Sequence, residues 1–340
     1  MELKKSELEN VSEATKSLPT KLLPRMLIVC TVVFSIAFLF VWLACKESFF
    51  SSSSKNILEW TAIASFGIQA VAFIPAAIMQ TEKFYDLTGS ITYFSLSLAS
   101  LFFGAQVNFS ENICSQLQTR QMVLTGMVVF WATRLGSFLF KRIKADNVDK
   151  RFDGVRDAPL RFFSFWMIQG LWVILCGLPV FTINSYPLPS PKPLDFVDYI
   201  GWAIWVLGFG IEVVADNQKA RFAARKTGTY IDEGLWYYSR HPNYFGEILL
   251  WIGIFVGSSR ELVDAQWAVV VSPIFIWFLL TKVSGVPLLE KKSDVKFAGD
   301  NGYLLYKKNT AEVMLWFKGT ATEFEDVSGG GENLLASTGK

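Results

Sequence analysis

Seven stretches of this chain run for about 20 residues with almost no charge, the length a helix needs to cross the hydrocarbon core of a bilayer. They are Met26 to Cys45, Ile57 to Met79, Ile91 to Val107, Met122 to Phe140, Phe162 to Ile183, Phe196 to Ala215 and Trp267 to Val283. An eighth, Tyr244 to Gly257, is shorter and carries Glu247 near its start. In lipid, backbone polar groups must be satisfied within the segment, so such runs fold as helices. The expectation is an all-α, polytopic integral membrane helix bundle with about eight transmembrane helices, seven being the other count. Composition agrees: 18% of residues are charged, whereas a soluble domain carries about 25%.

Charge then orients the bundle. With eight crossings, one side of the membrane receives the N-terminus, the loops near residues 80, 150 and 230, and the C-terminus. Lys and Arg number 5 before the first span, then 1, 7 and 5 in those loops, followed by Lys291, Lys292, Lys296, Lys307 and Lys308. The opposite loops hold Lys46, Lys55, Arg120, Lys192 and Arg260. The positive-inside rule therefore places both termini in the cytoplasm. Residues 1–25 read as a cytoplasmic segment with no cleavable signal, 26–317 as the membrane domain, and the Gly-, Ser- and acid-rich 318–340 as a disordered tail. Cys30, Cys45 and Cys176 lie in or at the ends of spans, so no disulfide framework is implied. The expected partners are the lipid bilayer and a hydrophobic small molecule; nothing calls for nucleic acid.

The chemistry is concentrated at the ends of the later spans. In "FGIEVVADNQKARFAARKTGTYIDEG", residues 209–234, Glu212, Asp216 and Lys219 fall at helical spacing on one face. An ionisable residue inside an apolar run, as Glu212 is, marks a functional site by default. Lys219, Arg221 and Arg225 form a cationic patch suited to phosphates, or else anchor the helix end against anionic lipid. In "GLWYYSRHPNYFGEILLW", residues 234–251, Pro242 suits a first helical turn, with Ser239 or Asn243 as its cap. Tyr244 and Glu247 then share a face, while Arg240 and His241 sit at the positive helix end, a natural place for an anion. His241 is the only histidine; a lone histidine is more often a hydrogen-bonded structural residue than a catalyst, and with no second His and no Cys cluster no metal site is expected. In "FYDLTGSITYF", residues 84–94, Thr88 or Ser90 can cap a helix that puts Asp86 and Tyr93 on one side. Arg134, mid-run, needs a partner, and Glu212 or Asp86 would serve.

"DNQKARF" followed by "GTYIDEGLWYYSRHPNYFGE" resembles the C-terminal region of the steroid 5-alpha-reductase superfamily, in particular its DUF1295 membrane branch. Sterol reductases and isoprenylcysteine carboxyl methyltransferases share the Arg-His-Pro-x-Tyr element. The likeness is specific over 200–317, which it marks as the cofactor-binding part, and looser over 84–160. It implies an NADPH-dependent reductase of a carbon-carbon double bond, enone or sterol-type alkene, in a steroid, sterol or other lipid. It also implies that Asn243 and Glu247 contact the nicotinamide end and that Asp216 holds the same cofactor; Glu212 and Tyr244, which share helix faces with Asp216 and Glu247, complete the set expected to bind that cofactor. Lys219, Arg221 and Arg225 then lie near its phosphates. Tyr230 matches a cofactor-contacting tyrosine, Arg240 and His241 match phosphate or ribose contacts, and Tyr303 and Tyr306 close the cleft.

One departure matters. Hydride delivery to an enone builds charge on the carbonyl oxygen and requires an acid. Asp86 resembles the acidic position of the steroid enzymes, one carbon shorter, but Trp131 stands where they carry a tyrosine. Tyr93 is the substitute proton donor, so Asp86, Tyr93 and Glu247 are the candidate catalytic residues. Two other readings compete: an S-adenosylmethionine-dependent membrane methyltransferase of the isoprenylcysteine type, and a non-enzymatic membrane protein of the same fold. The basic 219–225 cluster favours a cofactor with phosphates over a sulfonium. For a eukaryotic chain the expected location is the endoplasmic reticulum.

Overall fold

A computed structural model describes residues 2–46, 52–146, 149–185, 192–317 and 319. The tail expected to be disordered, 318–340, lies almost wholly outside them. The elements are α1 (Glu2–Cys45), α2 (Ser52–Met79), α3 (Tyr85–Gly104), the single turn α4 (Ile113–Gln116), α5 (Thr119–Asp146), α6 (Pro159–Asn184), α7 (Phe196–Ala224), α8 (Pro242–Ser258), α9 (Val271–Phe278), α10 (Val286–Lys296) and α11 (Asn301–Asn309). A 3-10 stretch, Asp264–Val270, leads into α9, and a π-helical turn, Leu279–Val283, continues it. Among the described residues there is no β-strand, only an isolated parallel bridge between Ser239 and Ala311.

Among the described residues seven helical segments are long and apolar enough to cross a membrane, so the protein is an integral, multi-pass, all-α membrane protein. The eighth apolar stretch forms α8, a helix of 17 residues. Helix α1 begins well before the apolar run, so most of the N-terminal segment is helical as well.

The chain divides into two compact units, Met1–Trp205 with Trp251–Ile276, and Val206–Leu250 with Trp277–Lys340. In the first, α6 is the central helix, with 89% of its apolar window buried against 17% for α1. Its neighbours are α1, α2, α3, α5 and the 264–270 stretch. A helix apolar on every face is expected to be buried on every face, and Phe162, Trp166, Met167, Leu171 and Leu175 of α6 form a core with Cys30, Val33 and Ala37 of α1 and with Phe152.

Apolar side chains gain little from leaving lipid, so packing and polar contacts hold such helices together. The Gln69 amide donates to Thr92 Oγ1 at 2.9 Å, joining α2 to α3. The Asn184 amide donates to Ser100 Oγ at 3.0 Å and Thr125 Oγ1 at 2.8 Å, joining α6 to α3 and α5. Where α5 begins, Arg120 is buried with Asp198 and Glu261, although its sequence position marks it as a loop cation.

In the second unit α7 and α8 cross at glycines. A Cβ on Gly246 would lie 2.6 Å from the Glu212 backbone nitrogen and from the Gly208 carbonyl oxygen. Backbone cannot yield there as a flexible side chain would. Gly246→Leu is therefore expected to cost about 1–3 kcal/mol by overpacking, read as a lower melting temperature in detergent; an unchanged melt would mean that the helices do not touch at this point.

Candidate functional site

The second unit contains every candidate position from Glu212 to Glu247, together with Tyr303 and Tyr306. Its centre is the turn before α8. Gly234, at φ 62°, opens a 3-10 turn, and Leu235 N–H donates to Gln218 Oε1 of α7 at 2.9 Å. Trp236 is buried and its indole N–H donates to the Ala215 carbonyl at 3.0 Å. Ser239 donates to the Val313 carbonyl at 2.7 Å, and Arg240 N–H to the Ala311 carbonyl at 2.9 Å. The strand-like pairing with 311–313 thus fixes the backbone immediately before Pro242.

Of the two expected caps, Ser239 takes the role nearest to it, accepting from the His241 N–H at 3.2 Å. Asn243 does something else: its side-chain amide donates to Asp216 Oδ1 of α7 at 3.2 Å. Glu212, Asp216 and Glu247 are all at least nine-tenths buried. Toward the end of α7 the character reverses. Lys219, Arg221 and Arg225 are exposed; Lys219 Nζ stands 4.8 Å from the Trp236 ring centroid, and Arg225 pairs with Glu233 and lies over Phe222.

Arg240 and His241 are held by a residue that the sequence pattern did not single out. Glu290 of α10 places Oε1 3.0 Å from His241 Nε2 and 3.3 Å from Arg240 Nε, and Oε2 3.0 Å from Lys307 Nζ. Lys307 also pairs with Asp294 at 2.6 Å, and the Tyr303 hydroxyl donates to the same carboxylate at 2.9 Å. Glu290 and Asp294 stand at i, i+4 on α10; that spacing was the available signal, hidden in the charged run "LLEKKSDVK" that reads as a solvated face. Burial pushes the His241 pKa down, Lys219 and Arg240 push the same way, and the Glu290 bond only partly opposes them, so the ring is neutral near neutral pH.

The predicted tyrosines also meet. Tyr230 stacks on Tyr306 at 5.2 Å between ring centroids and meets Tyr303 edge-on at 5.5 Å. The Tyr306 hydroxyl donates to the Trp236 carbonyl at 2.7 Å, and Tyr244 stacks on His241 at 5.5 Å. Burial raises the pKa of Tyr303 and Tyr306, so both are neutral hydroxyls rather than anions.

Asp86 and Tyr93 belong to the first unit. Asp86 pairs with Arg151 at 2.7 Å, and Arg151 with Asp149 at 2.5 Å. The Arg134 guanidinium lies 5.1 Å from the Phe138 ring centroid. Thr88 and Ser90 do not cap α3; the helix starts at Tyr85, so both hydroxyls donate to carbonyls one turn back, Phe84 and Asp86. Tyr93 is 1% exposed, donates to the Trp172 carbonyl at 3.0 Å, and is enclosed by Trp131, Trp172 and Trp251.

A family model described as a protein of unknown function, DUF1295, matches residues 72–310. No curated protein matches the chain, and no solved structure does.

Proposed function

Since the chain belongs to the DUF1295 family, we propose that it is a membrane-bound enzyme that reduces a carbon-carbon double bond of a hydrophobic substrate with NADPH, bound by the second unit. The observation that carries this reading is the polarity gradient along α7. Exposed Lys219 and Arg221 stand at its outer end, buried Asp216, paired with Asn243 of α8, lies about one turn inward, and buried Glu212 lies one turn further. Exposed cations suit phosphates, and an amide–carboxylate pair suits a ligand that both donates and accepts hydrogen bonds, as a carboxamide does. NADPH would be held by Lys219 and Arg221 at its phosphates and by Asn243 and Glu247 at the nicotinamide end, and when bound it supplies the hydride.

The remaining work falls to the chain. Asp216 accepts from the Asn243 amide and thereby orients it, leaving the amide oxygen available to a donor. Tyr230, Tyr303 and Tyr306 provide neutral aromatic surface for a flat group. The resemblance marks Asp86 as the acidic position, and Tyr93 is proposed as the proton donor in place of the family's tyrosine, whose position is occupied by Trp131. Tyr93→Phe is expected to abolish turnover while leaving NADPH binding intact.

The substrate in this reading is a steroid, sterol or other lipid drawn from the bilayer. Arg240 pairs with Glu290, and Ser239 bridges to Ala311, so the chain that leaves at 242 has returned to the same face by 286. That parity supports a crossing by α8, about 25 Å long at 1.5 Å per residue, and a return through 264–283. With the basic loops it supports eight spans, cytoplasmic termini and access to cytosolic NADPH, in the endoplasmic reticulum of a eukaryote.

One observation favours a second reading. The buried carboxylates Glu212, Asp216 and Glu247 also suit a sulfonium cation, hence S-adenosylmethionine and methyl transfer. Melting the detergent-purified protein with each ligand separates the two. NADPH at 100-fold its dissociation constant is expected to stabilise by about 2.7 kcal/mol, more than NADH at equal concentration, and Asn243→Ala or Glu247→Ala should remove that shift without lowering the unliganded melting temperature by more than a few degrees. Stabilisation by S-adenosylmethionine alone would replace the reductase with the methyltransferase.

A further inference from the structure

We infer that Glu290 is a positioning residue that holds His241 as the Nε2–H tautomer, and that the Nδ1 lone pair this leaves is the acceptor for an O–H or N–H donor on the ligand of the Arg240–Glu247 turn. The ligand half of this rests on the reading of the site given above; the tautomer half rests on the geometry around the ring together with its neutrality.

A carboxylate can only accept a hydrogen bond, so at 3.0 Å from Glu290 Oε1 it is His241 Nε2 that donates. On a neutral ring the other nitrogen is then bare. His241 is 5% exposed, yet its Nδ1 has no hydrogen-bond partner among the described residues. Buried polar atoms are rarely left so, and each one calls for an explanation. The ring cannot easily turn to find a partner. Its backbone N–H is held by Ser239 Oγ, it stacks on Tyr244 with the planes 11° apart, and Glu290 is itself held by Lys307 and Arg240.

The charged groups around the imidazole are Glu290 from α10, Lys307 from α11, Lys219 from α7 and Arg240 from its own turn. Two carboxylates, Glu290 and Asp294, already balance Arg240 and Lys307. This network is therefore no cradle for a phosphate, whose oxygens cannot donate to a bare nitrogen. A ribose hydroxyl or a carboxamide N–H can. The expected anion contact at His241 becomes a contact to a neutral donor, and the phosphates fall to Lys219 and Arg221.

His241 is the only histidine, so protein labelled with nitrogen isotope at histidine gives one Nδ1 and one Nε2 signal by NMR in detergent micelles. Without ligand near neutral pH, the proton is expected on Nε2, exchanging slowly with water. A proton on Nδ1, or an imidazolium, overturns the tautomer. Glu290→Gln should speed Nε2–H exchange and admit the second tautomer; an unchanged spectrum overturns the role of Glu290. NADPH is then titrated with melting temperature and the Nδ1 signal followed together. Movement of both supports the acceptor role, whereas a melting shift with Nδ1 unmoved overturns that role and leaves NADPH binding standing. No response in either overturns the reading of the site and, with it, the ligand half. As a check on chemistry rather than volume, His241→Asn, whose amide oxygen falls near the Nδ1 position, should bind NADPH within a few fold, while His241→Phe loses about tenfold, one hydrogen bond's worth. Equal loss in both variants overturns the acceptor role.

Discussion

Arg120→Ala is expected to destabilise the protein by about 3–5 kcal/mol, the cost of leaving buried charge without its partner. Arg120 is 2% exposed, Asp198 0% and Glu261 6%. The guanidinium meets Asp198 with both arms, Nε to Oδ1 at 2.6 Å and Nη2 to Oδ2 at 2.8 Å, and meets Glu261 through Nη1. It also donates to the Lys192 carbonyl at 3.3 Å. One cation thus serves two carboxylates from the start of α7 and the turn after α8, both in the first unit. Without it two buried anions face each other. The check is thermal melting in detergent beside a variant in which all three residues are apolar. That triple variant should recover most of the loss, because removing a whole buried ion cluster is often neutral. Equal melting of Arg120→Ala and the natural chain would mean that water or counter-ions reach the cluster.

Trp251→Ala should cost about 3 kcal/mol, the low end of the range for deleting a buried tryptophan. Trp251 is fully buried and its ring centroid is 5.1 Å from that of Trp131 and 5.7 Å from that of Tyr93. In a membrane protein the transfer part of the cost is small, because lipid is as apolar as the core, so the lost contacts and the residual cavity dominate. Trp251→Phe keeps the stacking surface and should cost about 1 kcal/mol. If the alanine variant melts no lower than the phenylalanine one, the four-ring cluster around Tyr93 is not packed as described.

Much of the architecture was legible because its cause is local. A run of about 20 apolar residues has one stable form in lipid, and the seven such runs are, among the described residues, seven helices that can cross. Helical spacing put Glu212, Asp216 and Lys219 along one stretch of α7. The short pattern from Ser239 to Glu247 identified the turn around which the second unit is built.

Several positions kept their prominence but changed their occupation. Asn243 reads as a cap from its place before a helix, yet donates to Asp216, 27 residues away. Thr88 and Ser90 read as caps because the apolar run begins at Ile91, whereas the helix begins at Tyr85. Asp86 could not be matched with Arg151 from sequence, since 65 positions, including most of α3 and all of α5, separate them. Glu290 was invisible because a carboxylate among lysines on a polar helix is nearly always solvated, and only the fold brings His241, Arg240 and Lys307 to it. Arg120 likewise reads as a loop cation, and only the fold brings Asp198 and Glu261 to it.

The sequence alone determined that this is a helical membrane protein and where its polar residues cluster along the chain, since hydropathy and periodicity act over a few turns and are complete within each segment. Only the tertiary structure decided who pairs with whom. A hydrogen bond or ion pair depends on distances of about 3 Å, and between residues dozens of positions apart those distances are set by helix packing, to which no local pattern in the sequence corresponds.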